Sequence, residues 1–375
     1  MTTASPDIAN LQITGIDIYP FDIRMREPFR IATMTAHSSP NVLIHIQTKE
    51  GISGWGEASP LHSIAGETQA ICIAAARELV PLLLGRNPLE IASLMARMNS
   101  FLPHNTTIKS AFDMALYDIA AKAAGLPLYR FLGGSLRPME TDLTIAIGET
   151  SEAGDRARAV VAQGFQIIKV KLGTTFEEDE ARLRNIREAV GPDITIRIDA
   201  NQAWDRATAM RSLKAYAQYD IEFCEQPLRA YDVAGLRLVG EAVSIPLMAD
   251  EALFSPADAL RLVAEEAVPY FNIKLSKSGG IHNALKIAAI AEAGGRKCMV
   301  GCMLESRLGL AAAAHFACAT ETVRFYDLDS CTEHSEEPIE GGIRIENGLI
   351  RLPETPGIGA VPTPETLQRL RKAEA

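Results

Sequence analysis

The sequence predicts an α/β protein: a (β/α)7β TIM-like barrel carrying an α+β capping domain. Three observations lead there. Short β-branched or apolar runs recur from residue 168 onward, each ending on a charged residue: Ile-Lys-Val-Lys-Leu-Gly (168–173), Ile-Arg-Ile-Asp-Ala-Asn (196–201), Phe-Cys-Glu-Gln-Pro (223–227), Met-Ala-Asp-Glu (248–251) and Asn-Ile-Lys-Leu-Ser-Lys-Ser-Gly-Gly (272–280). Lys171, Asp199, Glu225, Asp250 and Lys274 follow one another at intervals of 28, 26, 25 and 24 residues. That is the length of a strand, a crossover helix and two loops, and parallel strands need such a crossover. Finally, 375 residues exceed one ordinary barrel, so a second, smaller domain is expected.

The elements follow in order. Residues 11–23 and 42–48 read as strands joined by a loop over 25–40, and 51–57 as a turn and a third strand. Helical patterns cover 67–83, 88–100 and 106–124, the last stopped by Gly125 and Pro127. Three strands then helices is an α+β order, so the capping domain spans 1–135, with its boundary near Gly133-Gly134-Ser135. The barrel spans 136–332. Thr144 lies 27 residues before Lys171, Gly301 lies 27 after Lys274, and Asp327 lies 26 further on, which completes eight strands. Ala-, Leu-, Glu- and Arg-rich helical patterns separate them at 151–163, 177–190, 205–218, 256–266, 280–293 and 306–319, and Ser255-Pro256 marks one N-terminus. Residues 343–352 alternate about Asn347-Gly348, a hairpin signal. A closed barrel has no place for it, so 333–375 is expected to return to the capping domain, with 364–375 as a polar helix or tail.

Composition removes several classes of function. A net charge of −10 and a pI near 5.3 lack the basic footprint that nucleic acid demands. No apolar run reaches membrane-spanning length, and Met1–Asp7 shows no basic and apolar leader pattern. Six scattered cysteines without a C-x-x-C pair read as buried reduced thiols in a cytoplasmic protein. The expected partner is a small-molecule substrate, with neither nucleic acid nor membrane, in a homo-oligomer.

Chemistry in such a barrel sits at the C-terminal ends of the strands, where all the charged residues fall. Asp199, Glu225 and Asp250 end three successive strands. Three carboxylates converging there repel one another unless a cation intervenes, and an all-oxygen set without His or Cys suits Mg²⁺. Lys171 and Lys274 end strands four apart in an eight-strand ring, so they face each other across it. Lys169 and Lys171 point to one face of their strand, and two neighbouring ammonium groups are expected to lower a pKa toward the range of a base. A lysine on either side of a metal-bound carboxylate can remove a proton from one face and return it to the other. Lys277 reads as charge balance among the acids.

The set Lys-x-Lys, Asp-x-Asn, Glu-Gln-Pro, Asp-Glu and Asn-Ile-Lys-x-x-Lys-x-Gly-Gly resembles the enolase superfamily, in its muconate-lactonising subgroup. The likeness extends to Ala-Leu-Tyr-Asp (115–118), Gly-Leu-Pro-Leu (125–128) and Gly-Trp-Gly-Glu (54–57). It implies Asp199, Glu225 and Asp250 as Mg²⁺ ligands and Lys171 and Lys274 as the acid/base pair around an enolate. Mandelate-racemase-like members carry a histidine on the seventh strand, where this chain has Val300-Gly301-Cys302, which disfavours that subgroup.

Asp327 and Asp329 share one face of the eighth strand, opposite Glu225, and would bind a cation. A ligand with a carboxylate on Mg²⁺ and an ammonium on this pair must span the mouth, as a dipeptide does at roughly 3.3–3.6 Å per residue. The Asp-x-Asp resembles the mark of dipeptide epimerases, which implies that the pair holds the substrate's α-ammonium, Thr144 contacts substrate and Lys169 belongs to the binding set. In Ala-Glu epimerases a first-domain arginine meets the glutamate side chain. Met34 stands at that position, so a neutral or basic second residue is expected over Glu, with Glu333, Glu336 and Glu337 favouring a neutral or cationic side chain if they face the pocket. The expected reaction is epimerisation of a dipeptide's C-terminal residue. A muconate-type cycloisomerase or o-succinylbenzoate synthase is the alternative, and it leaves Asp327 and Asp329 unused. A Schiff-base aldolase would leave the acids idle, and a binding protein would leave the lysine pair idle.

Overall fold

A computed structural model describes residues 11–373. The leader reading at the first seven residues lies outside them. The first domain opens with a three-stranded antiparallel sheet, β1 (Ile13–Ile31), β2 (Met34–Thr48) and β3 (Ser53–Ala58). Residues 25–40, expected as a loop, continue β1 and β2 into a long ribbon. Its register breaks between Arg24 and Phe29, then resumes with Phe29 opposite Ala36 and Ile31 opposite Met34. Phe29, Ile31, Met34 and Ala36 thereby reach over the barrel. Gly54 and Gly56 of β3 lie against the helix Thr106–Ala123; a Cβ on Gly56 would sit 1.9 Å from the Ala111 carbonyl oxygen. Only glycine allows that approach.

The barrel strands are β4 (Leu143–Ile145), β5 (Ile167–Lys171), β6 (Thr195–Asp199), β7 (Ile221–Glu225), β8 (Leu247–Ala249), β9 (Tyr270–Ile273), β10 (Lys297–Gly301) and β11 (Val323–Asp327). They pair in parallel in chain order. Helices begin where the side chains demand it. Thr175 accepts the Glu178 N–H at 3.2 Å ahead of Phe176–Val190, and Ser255 accepts the Asp258 N–H at 3.2 Å ahead of Pro256–Ala264; in both, the acid bonds back to the cap. Among the described residues, no helix is long and apolar enough to cross a membrane.

Seven ladders join β4 to β11. The eighth junction, β11 to β4, is made by single bonds. The Asp142 N–H donates to the Tyr326 carbonyl at 3.4 Å and the Leu328 N–H to Thr141 Oγ1 at 2.9 Å. Beneath them the buried Arg197 guanidinium spans the gap. Its Nη1 donates to Asp142 Oδ2 at 2.9 Å and the Tyr326 carbonyl at 3.0 Å, and its Nε to Glu222 Oε2 at 2.7 Å. It rests on the rings of Phe223 and Phe325, which pack with Met248 and Met299 to plug the barrel floor.

After β11 come β12 (Ile339–Gly341), the hairpin β13 (Arg344–Glu346) and β14 (Leu349–Arg351), β15 (Ala360–Pro362) and the helix Pro364–Arg369. The hairpin was expected on the first domain, but it lies under the barrel, with Leu349 bridged to Glu140 and Gly348 against Phe165. The chain around it does reach the first domain. The Ser335 N–H donates to Arg24, the Ile358 N–H to Asp118 and the Ala373 N–H to Ile18.

Candidate active site

The strand period places the expected residues together because alternate residues of each parallel strand face inward. Lys169, Lys171, Lys274, Thr144, Asp327, Asp329 and Met34 all line one cavity at the barrel's C-terminal end, about 550 Å³ including its open mouth. Its floor is ionic. Its ceiling is the apolar ribbon tip joined by Leu61 and Ile64, and Cys302, Met303 and Leu304 form one edge. Gly173 (φ 105°) lets the two domains meet there, since a Cβ would sit 2.9 Å from that of Ala32 at the ribbon turn.

Asp199, Glu225 and Asp250 lie beneath the lysines, each fully buried. Lys171 Nζ donates to Asp199 Oδ2 at 2.6 Å and Lys274 Nζ to Asp250 Oδ2 at 2.9 Å. Lys277, buried beneath, donates to the Asp250 carboxylate and to the Asn272 carbonyl at 3.1 Å, in keeping with charge balance. Lys169 occupies the centre, 2.6 Å from Asp327 Oδ2, 2.7 Å from Glu225 Oε2 and 3.4 Å from Asp199 Oδ2.

The electrostatics correct one expectation. Lys169 is not governed by its neighbour on β5. Burial opposes the charge of Lys169, but Asp327, Glu225 and Asp199 outweigh it and hold its pKa well above the usual lysine value. Lys274 is likewise raised, burial being overcome by Asp250 and Glu225. Asp327 meets a burial penalty that Lys169 and Lys171 reverse, leaving it at about 2. Asp329 is different. Burial and the charge of Asp327 push it up, and its contacts are the Thr144 N–H at 2.7 Å and the Cys302 thiol at 3.8 Å. Of the pair, Asp327 is already matched to a lysine and Asp329 is the carboxylate free to meet an incoming cation.

The three deep carboxylates suit a hard divalent ion by donor chemistry: all oxygen, on three adjacent strands, without nitrogen or sulfur. Glu225 Oε1 accepts from Asn272 Nδ2 at 2.7 Å, and its buried Oε2 faces the Lys169 ammonium at 2.7 Å. Burial and Asp199 push this carboxyl up to about 7 even though Lys169 opposes them, so the neighbouring ammonium does not fully offset the crowding of acids. Each of the three acids lies against at least one lysine ammonium group. Among the described residues, only Cys302, Asp327 and Asp329 bring three ligand atoms within 4.8 Å of one another.

Three glutamates weighed in the sequence do not reach the cavity. Glu336 pairs with Arg369 at 3.1 Å and Glu337 with Arg307 at 2.6 Å, and neither Glu333 nor these two contribute to the lining. Residues overlooked in the sequence include Asn201, whose place in the Asp-x-Asn run pointed inward, and the Cys302–Leu304 edge, which carried no motif.

Comparison with known proteins agrees with this architecture. Residues 15–133 match the family described as mandelate racemase / muconate lactonizing enzyme, N-terminal domain, and residues 152–366 match the enolase C-terminal domain-like family. The chain is 41% identical over 362 residues to a D-Ala-D/L-Ala epimerase of Cytophaga hutchinsonii, covering 96% of this chain and 98% of the relative. It is 39% identical to a hydrophobic dipeptide epimerase of Enterococcus faecalis, covering 93% and 99%. A crystal structure of a dipeptide epimerase from Cytophaga hutchinsonii, complexed with Mg and the dipeptide D-Ala-L-Val, is similar at a TM-score of 0.95, with 41% identity and coverage of 96% and 99%.

Proposed function

Since the chain belongs to the mandelate racemase / muconate lactonizing enzyme family of the enolase superfamily, we propose that it is an isomerase, a Mg²⁺-dependent epimerase of the C-terminal residue of dipeptides. The observation that carries this reading is one cavity holding both opposed lysines, Lys171 and Lys274, together with the incompletely matched carboxylate of Asp329. A muconate-type cycloisomerase substrate has no ammonium for that acid. The direct test is mass spectrometry of a dipeptide library incubated with the protein in D₂O. Uptake of a single deuteron at the C-terminal α-carbon, with both epimers formed, is the expected result.

Asp199, Glu225 and Asp250 would hold Mg²⁺, a Lewis acid for the substrate's terminal carboxylate that lowers the cost of removing the neighbouring α-proton. Lys171 and Lys274 approach from opposite sides of the ring. One takes the α-proton and the other delivers a proton to the opposite face of the enolate, their roles reversing with the epimer. Lys169 stays charged between Asp327, Glu225 and Asp199, fixing the floor on which the substrate lies. Thr144 presents its backbone N–H to Asp329 and keeps that carboxylate turned to the cavity.

The ammonium subsite gives a graded prediction. Asp329→Asn removes a charge-assisted bond worth on the order of 1.5–3 kcal/mol, so kcat/KM should fall at least tenfold, chiefly through KM. Asp327→Asn also releases Lys169, so kcat should fall with it. N-acetylated dipeptides should be poor substrates of the native protein. Native kinetics in both Asn variants would remove the dipeptide assignment.

The ceiling narrows the substrate. Phe29, Ile31, Met34, Leu61 and Ile64 offer neither cation nor anion, and Glu336 and Glu337 are engaged elsewhere. The second residue is therefore neutral and apolar rather than acidic or basic. Met34→Arg should raise the kcat/KM ratio of Ala-Glu over Ala-Ala by tenfold or more, measured by polarimetry. A native protein most active on Ala-Glu would refute this role for Met34.

A further inference from the structure

The loop after β10 presents Cys302, Met303 and Leu304 to the cavity but has no ladder or helix of its own to hold it. Polar groups strap it from two sides. From the barrel, Ser276 Oγ donates to Glu305 Oε1 at 3.1 Å and Ser330 Oγ to the Glu305 carbonyl at 2.8 Å. The other strap comes from the first domain. Asn41 Nδ2 donates to the Leu304 carbonyl at 2.9 Å, and Ser59 Oγ accepts the Leu304 N–H at 3.1 Å.

Glu57 is the centre of this second strap. Its side chain is wholly buried and touches no cavity surface. It accepts four hydrogen bonds: from Asn41 Nδ2 at 2.7 Å, the Ser306 N–H at 2.9 Å, Ser306 Oγ at 2.6 Å and the Gly309 N–H at 2.9 Å. Three of those donors, on Ser306 and Gly309, belong to the cap and first turn of the barrel helix Arg307–Ala319, where backbone N–H groups otherwise lack partners. Asn41 stands on β2, the strand that also carries Met34 and Ala36 into the ceiling. One buried carboxylate thus ties the ceiling strand to the loop forming the cavity's edge.

We propose that Glu57 is a positioning residue for substrate selection, fixing the gap between the apolar ceiling and the Cys302–Leu304 edge through which the epimerised residue's side chain must fit. The proposal rests on the dipeptide reading for what fills the gap, but the strap itself does not. Glu57→Gln keeps the shape and replaces one acceptor oxygen by an amide nitrogen facing donors. The loop should then loosen while the lysines keep their own partners.

Two measurements decide it. Peptide-resolved alkylation by N-ethylmaleimide should label Cys302, almost fully covered in the native protein, at least tenfold faster in Glu57→Gln. The ratio of kcat/KM for Leu-Tyr over Ala-Ala should move at least fivefold, the change residing in KM. Asn41→Ala and Ser306→Ala, each removing part of the strap, should shift both readouts the same way by smaller factors, and they serve if Glu57→Gln does not fold. An unchanged Cys302 rate in all three variants, or an unchanged selectivity ratio alongside native-like folding, overturns the proposal. Native protein that epimerises no dipeptide refutes the dipeptide reading and, with it, the selection role, whereas the alkylation rates still report whether the strap holds the loop.

Discussion

Lys171→Ala and Lys274→Ala are each expected to lower epimerisation by about a thousandfold, within the 10²–10⁴ that a positioned acid or base contributes. Epimerisation needs a proton taken from one face and given to the other, so losing either lysine breaks the cycle in both directions. The half-reaction should survive: each variant should still exchange the α-proton of one epimer with D₂O, and the two variants should differ in which epimer exchanges. Folding should persist, because the acids left behind keep partners. Asp199 retains the Asn201 N–H at 2.8 Å and Lys169 at 3.4 Å, and Asp250 retains Lys277. Thermal melts alongside isotope exchange separate the two effects. Normal turnover of both epimers by either alanine variant would exclude that lysine as a required acid or base.

Removal of divalent metal is expected to have an effect as large. Chelator-treated protein should be inactive and regain activity with Mg²⁺, and Glu225→Gln should stay inactive at any Mg²⁺ concentration. Titration calorimetry reads the same site without turnover: the native chain should bind Mg²⁺ and Glu225→Gln should bind it far more weakly. Glutamine preserves the volume and leaves Asn272 a carbonyl oxygen to donate to, so the loss reports charge rather than packing. Lys169 keeps Asp327 as its counterion, and the floor stays closed. Full turnover in a metal-free preparation would sink the metal assignment.

The barrel was legible because its period is a matter of chain length. Each strand, helix and loop pair occupies 24 to 28 residues, and the inward charges at Lys171, Asp199, Glu225, Asp250 and Lys274 keep that beat. Residues 25–40 were not legible as strand. Arg24 through Pro28 interrupt the alternation, and the register that resumes at Phe29 opposite Ala36 depends on a partner strand that no local pattern announces. For the same reason the sequence showed many of the charged side chains that enter the cavity but not how they pair. Lys169 was set against its neighbour Lys171 because both lie on β5, yet its strongest contacts come from β11 and β7. Asp142 and Arg197 share the inward phase of Thr144 and Asp199, two residues nearer the floor, and passed as ordinary strand residues. The hairpin about Asn347 was visible, but its destination was not, since a turn signal carries no address.

The junction between β11 and β4 has a consequence for how the molecule is assembled. Its bonds join positions 184 residues apart, Asp142 to Tyr326, so they close the longest loop in the ring, and such a closure has to be met before any contact rewards it. Every other barrel neighbour is one βα unit away. On loop-closure grounds this junction, where a guanidinium stands in for a ladder, is the costliest in the ring to close. Thr144 and Asp329 lie on opposite sides of that closing line and bond across it at 2.7 Å. If Asp329 receives a cation as proposed, that ligand would also bear on the seam between the first and last barrel strands, like the pin of a clasp.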